Sequence, residues 1–544
     1  MLKNWKAHLT GAALVAVVGA VGCYDFGDAR EKCEAEGRCG PSKPDGGGEC
    51  IPIGTDDPPD DEFIDANCDG VDGIATAGLF VDPVAGKDGA AGTQGDPLKT
   101  LTEALQRVRQ GTGPNQVYLA QGAYNEPGLV LDVRASLYGA YGGLNNWQRR
   151  ADHITHLDGG TVGLTVRGLP ESAGVVVERV LVTSSNVTTA GAPSIALHVI
   201  DSQGVRLRHG TFWAGQGAQG AAGSMGAQGA DGGIGGDGGS AQLIGSVTVA
   251  GALGVAGTNS CAGADYSGGA GKQGASGPNA GENGSAGMPI ASGGPGGQGG
   301  IKGTVEPDPV LNKKCGAGSG GHGEPGIKGG NGSAGQAGVG VGVLRDDLWS
   351  ANQQGGTGGM GSAGSGGGGG GSGGACQSEG SVPGAAGGGS GGGGGGGCGG
   401  GGGTGGGGGG ASIAVLLIRS NVALEGNTVL RTRGGGRGGQ GGEGGQGGQG
   451  GRGGVGGAGG YVPTQAYTSV GGNGGDGGVG GPGGLGGPGG GGGGGPSVGV
   501  WCSPDAGFTG SAQDQLANGG PGGPGGTAGD AGIKALFHNC PTPP

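Results

Sequence analysis

The chain has little from which to build an ordinary core. Aromatic residues are 3% of its 544 residues, charged residues 13%, and there are only four methionines. No CxxC pair, phosphate-cradling loop or Ser/His/Asp set stands out, so zinc-ribbon, nucleotide-hydrolysing and triad-hydrolase classes find no support. The apolar run "GAALVAVVGAVG" (residues 11–22) is well short of the ~20 residues a bilayer-spanning helix needs. Basic residues are outnumbered 29 to 42, for a net charge of −13. Such a surface disfavours nucleic acid and anionic lipid headgroups as partners.

What the chain has is glycine, 164 residues of it, against roughly 7% in ordinary proteins. The exception is 79–213, where Val, Leu, Tyr and Trp are frequent enough for one modest core. The N-terminus supplies an address. Lys3 and Lys6 precede the short apolar run, as in an export signal over residues 1–22. The run ends "AVGC", which resembles the lipobox of bacterial lipoproteins, with Ala20 where Leu is usual. The resemblance implies cleavage before Cys23, acylation of that cysteine and attachment to the membrane through lipid. Tyr24, rather than Asp, then implies transfer to the outer membrane or cell surface. An ordinary secretory signal is the competing reading.

There are eleven cysteines, an odd number for an oxidising compartment. Lipidation of Cys23 leaves ten, and five disulfides would account for them. Residues 23–78 read as a polar tether holding Cys33, Cys39, Cys50 and Cys68. Within it, "DANCDGVDG" places Asp65, Asn67 and Asp69 at alternate positions, followed by Gly70 and Asp72, like the start of a calcium loop. Thr76 stands where an EF-hand has its bidentate Glu. The motif is closer to the aspartate loops of thrombospondin type 3 repeats, and an acidic linker explains it equally well.

In 79–213 the pattern is more familiar. Asp96 and Pro97 suit a helix N-terminus, Leu101, Ala104, Leu105 and Val108 repeat at helical spacing, and Gly111 suits its end. The period then becomes two: Val117 and Leu119; Leu129, Leu131 and Val133; Leu164 and Val166; Val175 and Val177; Ile195, Leu197 and Val199; Val205 and Leu207. Short strands at close spacing predict a sandwich or a parallel β-helix. The stretches "VDPVAGKDGAAGTQGDPLKTLTEAL", "VYLAQGAYNE" and "LYGAYGG" resemble the N-terminal cap and first coils of pectin-lyase-like, right-handed parallel β-helices. More narrowly they are similar to exported, glycine-rich (PGRS-like) β-helix proteins of unknown function from myxobacteria. That resemblance covers about 79–213 and implies an all-β fold without implying a chemistry.

Three later segments align with one another: "PSIALHVIDSQGVRLRHG" from Pro193, "ASIAVLLIRSNVALEGN" from Ala411 and "PSVGVWCSPDAGFTGSA" from Pro496. They predict further coils of one β-helix, near 411–433 and 496–510, separated by glycine-rich insertions across 214–532 and followed by a tail, 533–544. Inside the insertions glycine recurs every third residue from Gly217, and "GGRGGQGGEGGQGGQGGRGGVGG" has it at two positions in three. Three residues per turn is polyproline II geometry. In such a helix a GGX repeat puts all its side chains on one edge and leaves two edges of bare backbone for neighbours. Collagen and a disordered linker are the rivals; few triplets carry proline, and a linker has no reason to keep a threefold register. If Val382 and Pro383 reverse the chain, Cys376 should meet Cys398, and by the same logic Cys261 should meet Cys315 and Cys502 should meet Cys540.

Catalytic signals are thin. "GHG" (321–323) is followed, not preceded, by the acidic pair of "RDDLW" (345–349), the reverse of the polygalacturonase order. Lys99, Arg134 and Arg167 are the basic candidates for a lyase, and His153 and His156 lack a third ligand. The sequence thus points to a non-enzymatic, lipid-anchored surface protein with a structural or adhesive role toward matrix polysaccharide or neighbouring cells. The alternative is a carbohydrate-binding or carbohydrate-degrading β-helix.

Overall fold

The computed structural model describes residues 50–310, 312–352 and 354–541. The expected export signal (residues 1–22), Cys23, Cys33 and Cys39 lie outside them. The described residues fall into two compact units, 50–74 and those from 75 onward.

In the first unit the Cys50–Cys68 disulfide and a pair of N–H donations from Ile53 and Gly54 to Ala66 C=O close a loop. Its floor is made by carboxylates that accept backbone N–H groups.

The second unit is a parallel β-helix carrying the glycine-rich insertions. Its first sheet has seven strands, Gly78–Val81, Gln116–Ala120, Ser136–Tyr141, Val176–Glu178, Val205–Arg208, Asn421–Glu425 and Gly507–Gly510. The second has six, Gly122–Asn125, Thr155–Asp158, Val180–Thr183, Thr211–Ala214, Val429–Thr432 and Gln513–Leu516. The third has Val130–Leu131, Val162–Arg167, Ser194–Ile200, Ser412–Ile418, Ser497–Cys502 and Lys534–His538. Each coil passes once through each sheet, so like residues stack. Val166, Val199, Leu417 and Cys502 form one inward ladder, all in register and all fully buried.

The alignment of the three late segments is borne out at the level of register, since Ser194 pairs with Ser412 and Ser412 with Ser497. Strands Ser194–Ile200 and Ser412–Ile418 are buried at every position, because the third sheet is covered on both faces. The core fills its inside. Outside, the hairpin Val343–Arg345/Leu348–Ser350 lays Trp349 against Ile195, Ile413, Leu416 and Trp501. A strand buried on both faces reads as a continuous apolar run, as "SIAVLLI" does.

Two expectations are corrected. The helix spans Leu101–Arg109 with Thr100 as its N-cap, the Thr100 hydroxyl accepting from Glu103 N–H. Asp96 instead accepts from Ala91 N–H in the preceding turn, a job its short carboxylate does equally well. Gly111, at φ +67°, does follow the helix end. The segment read as a tail contains strand Lys534–His538, which pairs in parallel with Ser497–Cys502 and is tied to it by Cys502–Cys540.

The insertions all leave from one corner. Residues 215–411, 433–496 and 517–533 each run from a second-sheet strand to a third-sheet strand. Serine hydroxyls line this corner: Ser412 donates to Gly215 C=O at 2.7 Å across the neck of the first insertion, Ser497 meets the Thr432 hydroxyl at 2.7 Å across the neck of the second and donates to Ala517 C=O at 2.8 Å, and Ser194 donates to Ser185 C=O at 2.8 Å in the shorter turn of the coil before.

Candidate binding face

Beyond that corner the chain runs back and forth as extended segments joined by tight hairpins, and the backbone bonds between them repeat every third residue. Gly220 N–H donates to Arg437 C=O, Gly223 to Gln440, Gly226 to Glu443, and so on to Ala241 and Ala458, all at 2.7–2.8 Å. This is the spacing of a three-residue-per-turn glycine helix.

Segment 385–411 shows what pure glycine is for. Its N–H groups donate in turn to the segments around 239, 272 and 475, and its C=O groups accept from those around 254, 370 and 457. Over 387–397 six neighbours therefore surround it, and both polar groups of each backbone unit have somewhere to go. A Cβ on Gly392, Gly393 or Gly394 would run into the carbonyl of Val255, Gly367 or Gly451 respectively. Segment 354–376 is enclosed in the same way from 365 onward, while Thr357 and Met360 before it are exposed. Around these two runs a closed ring of four long segments (217–241, 435–460, 471–496 and 317–341) and four short ones (250–258, 266–276, 279–288 and 293–303).

Glycine content per triplet follows the number of backbone neighbours. From Gly217 the pattern is G-X-X, and it becomes G-G-X at Gly232. There the segment 252–258 arrives, with Gly233, Gly236 and Gly239 donating to Thr258, Val255 and Ala252. Likewise Gly491 and Gly494 replace the X residues where 520–523 lies over them.

The long segments expose one edge each. Along 435–460 the exposed positions are Arg437, Gln440, Glu443, Gln446, Gln449, Arg452, Val455 and Ala458, and the glycine at the same phase of every triplet is buried. Neighbouring stripes are stitched to this one by side chains: Asp231 and Asp237 accept from Gln449 N–H and Val455 N–H, and Asn473 and Asp476 accept from Gly459 and Gly456 N–H. Ser319, His322 and Asn331 tie in a fourth stripe by accepting from Asn473, Asp476 and Leu485 N–H. The result is an array of adjoining stripes whose side chains recur every ~9 Å along each segment.

Two disulfides staple the insertion, pairing Cys261 with Cys398 and Cys315 with Cys376. The expected Cys376–Cys398 and Cys261–Cys315 pairs are therefore wrong, while Cys502–Cys540 is found. The chain does reverse at 377–384, but Cys376 lies at that turn whereas Cys398 is halfway along the returning segment. The two therefore stand at different heights.

The remaining sequence candidates are scattered. His322 of "GHG" occupies an exposed X position beside Asp476, while Asp347 of "RDDLW" pairs with Arg419, itself bonded to Asp201. Arg134 donates to Ser172 C=O and lines an open groove of about 550 Å³ with Arg109 and Asp132. Arg167 ends its third-sheet strand, and Lys99 N–H is held by Asp88. His156 meets Thr183 at 2.7 Å, and His153 Nδ1 is buried without a partner.

In the first unit Asp65 accepts from Asp69 and Gly70 N–H, Asn67 from Asp69 N–H and Asp72 from Asp60 N–H. Burial first, then the charges of Asp65 and Asp69, pushes the Asp57 carboxyl up, and burial followed by the charge of Asp69 does the same for Asp65. No group of three or more His, Cys, Asp or Glu side chains is gathered as a metal site among the described residues. Nor, among them, is any helix long and apolar enough to cross a membrane.

The outward stripes were legible as a one-edge pattern; the neck serines were not singled out, although a serine opens each aligned strand. Residues 84–141 match the family model described as a protein of unknown function, DUF1565, which is associated with parallel β-helix proteins. That match spans the N-terminal cap and first coil. No curated protein and no solved structure matches the chain.

Proposed function

We propose that the protein is a non-enzymatic surface protein that uses its glycine-helix array as an adhesive face for extended polysaccharide, held at the outer membrane by a lipid on Cys23. The observation that supports this reading is the array itself: a floor with its backbone bonds made internally, bearing amide-rich side chains at fixed spacing. Gln440, Gln446, Gln449 and Asn473 offer donors and acceptors that need no neutralising partner, which suits hydroxyl-rich polymers. A face of repeated side chains binds a repeating polymer through many weak contacts rather than one strong one.

The test is a glycan array probed with residues 24–544, alongside a variant carrying Gln440→Glu, Gln446→Glu and Gln449→Glu. These exposed substitutions keep the glycine register, so the fold should survive and neutral-glycan binding should fall at least tenfold. Turnover of uronic-acid polymers by the unaltered chain would sink the non-enzymatic reading in favour of a carbohydrate-degrading β-helix.

A further inference from the structure

Near the root of the second insertion, a different arrangement stands on the outer side of the second sheet. Trp213 is paired in register with Arg431 on the next coil. Both the Arg431 and the Arg433 guanidinium carbons sit over its indole ring, 4.4 and 4.6 Å from the centroid. Two cations are thereby gathered on one partly exposed aromatic ring.

Several other arginines of the β-helix are met by acid. Arg109 has Asp132, Arg149 and Arg208 share Glu178, Arg206 has Glu425 and Arg419 has two aspartates. Among the described residues, neither Arg431 nor Arg433 has a carboxylate within ion-pair distance, in a chain with 42 acidic residues to 29 basic. The residues in register with the Trp213–Arg431 rung are Thr183 on one side and Gln515 on the other, both uncharged and able to hydrogen-bond.

Cation–π contact is worth about 0.5–2 kcal/mol, and it holds each guanidinium flat while leaving its edge N–H groups unused. Like charges held this close repel, and an anion placed between their edges relieves that repulsion. Planar guanidinium edges fit oxyanions in bidentate fashion. We infer that Trp213, Arg431 and Arg433 form a binding site for an oxyanion carried on a glycan, a carboxylate or a sulfate ester, separate from the neutral face of the array.

Because the protein as a whole is acidic, long-range attraction is not available to a polyanion, so binding depends on this local pair. The experiment uses residues 24–544 and titrates alginate oligomers (carboxylate), dextran sulfate oligomers (sulfate) and plain dextran at physiological salt. Binding is read by calorimetry and by tryptophan emission. The expected result is saturable binding of one anionic oligomer with a change in emission, both absent for dextran. Arg431→Gln with Arg433→Gln should weaken it at least tenfold, and Trp213→Phe should remove the emission change. The carboxylate and sulfate arms identify the group. Binding that is unchanged in the double variant, or no binding of either polyanion at millimolar oligomer, overturns the inference. Trp213→Phe retains an aromatic platform, and circular dichroism shows whether each variant is folded. Neutral-glycan binding by the array reports separately, since the double variant leaves Gln440, Gln446 and Gln449 untouched.

Discussion

The β-helix and the glycine array solve the same problem with opposite materials. In the β-helix, side chains fill the interior: Leu119, Val177, Leu207 and Leu424 are fully or almost fully buried, and the backbone bonds only along the sheets. In the array the backbone fills most of the interior; a few small side chains such as Ser372 and Ser390 are admitted there, and the larger ones lie outside. A β-helix position therefore tolerates exchange among apolar residues of similar volume. An enclosed glycine such as Gly393 admits no larger residue, because what its Cβ would meet is a carbonyl rather than a movable side chain.

The sharpest way to break the contrast is Gly393→Val. It should destabilise the array by more than about 3 kcal/mol through overpacking against backbone, with hydrogen exchange lost along 217–241 and 435–460 while the ladder around Val166 stays protected. The reciprocal change, Leu417→Ala, should cost about 2–5 kcal/mol as a core cavity. It should lower the midpoint of the β-helix transition, with protection lost first at 194–200 and 412–418. Gln446→Ala, exposed on the array, should stay within about 0.5 kcal/mol.

A third test uses pH. Burial lowers the His198 pKa from 6.5 to about 4, beneath the hairpin that carries Asp347. The folded state refuses a proton that the unfolded chain accepts, so the contribution of His198 is complete above pH 6.5 and is lost as pH falls toward 4. The loss over that window is about 3 kcal/mol by linkage. Unfolding midpoints measured from pH 7 to 4 should fall, and His198→Leu should flatten the slope.

The smallest expected effect concerns the first unit. Asp57 and Asp65 have raised pKa values in the folded state, so this unit should gain stability as pH drops through the carboxylate range. Weak calcium binding at Asp65, Asn67, Asp69 and Asp72, at ~10⁻⁴ to 10⁻³ M, would stabilise the ionised form instead. Calorimetry of the whole chain with millimolar calcium at pH 7 checks this, and absence of heat at 10 mM-scale ion would leave the aspartates as turn formers.

Much of this was legible in the sequence, and unevenly. The aligned strands at Ser194, Ser412 and Ser497 announced a stacked helix because register is written in every residue of a strand. The threefold glycine period announced a helix with bare edges. What could not be read was which segments lie side by side, since glycine edges look alike. Cys398 therefore found Cys261, and Cys376 found Cys315, for reasons of layer order alone. The final strand was missed because Ile533 and Lys534 open it in place of the small residue and serine that mark the others.

The single corner from which every insertion leaves has a consequence for how such a molecule changes over generations. A duplication of three codons within a glycine repeat preserves the reading frame and adds one full turn, so the phase of every edge is kept. Where facing segments lengthen together, the array grows while the strands of the β-helix never shift against each other. Its reach can then vary among descendants while the platform that bears it stays under ordinary selection for packing.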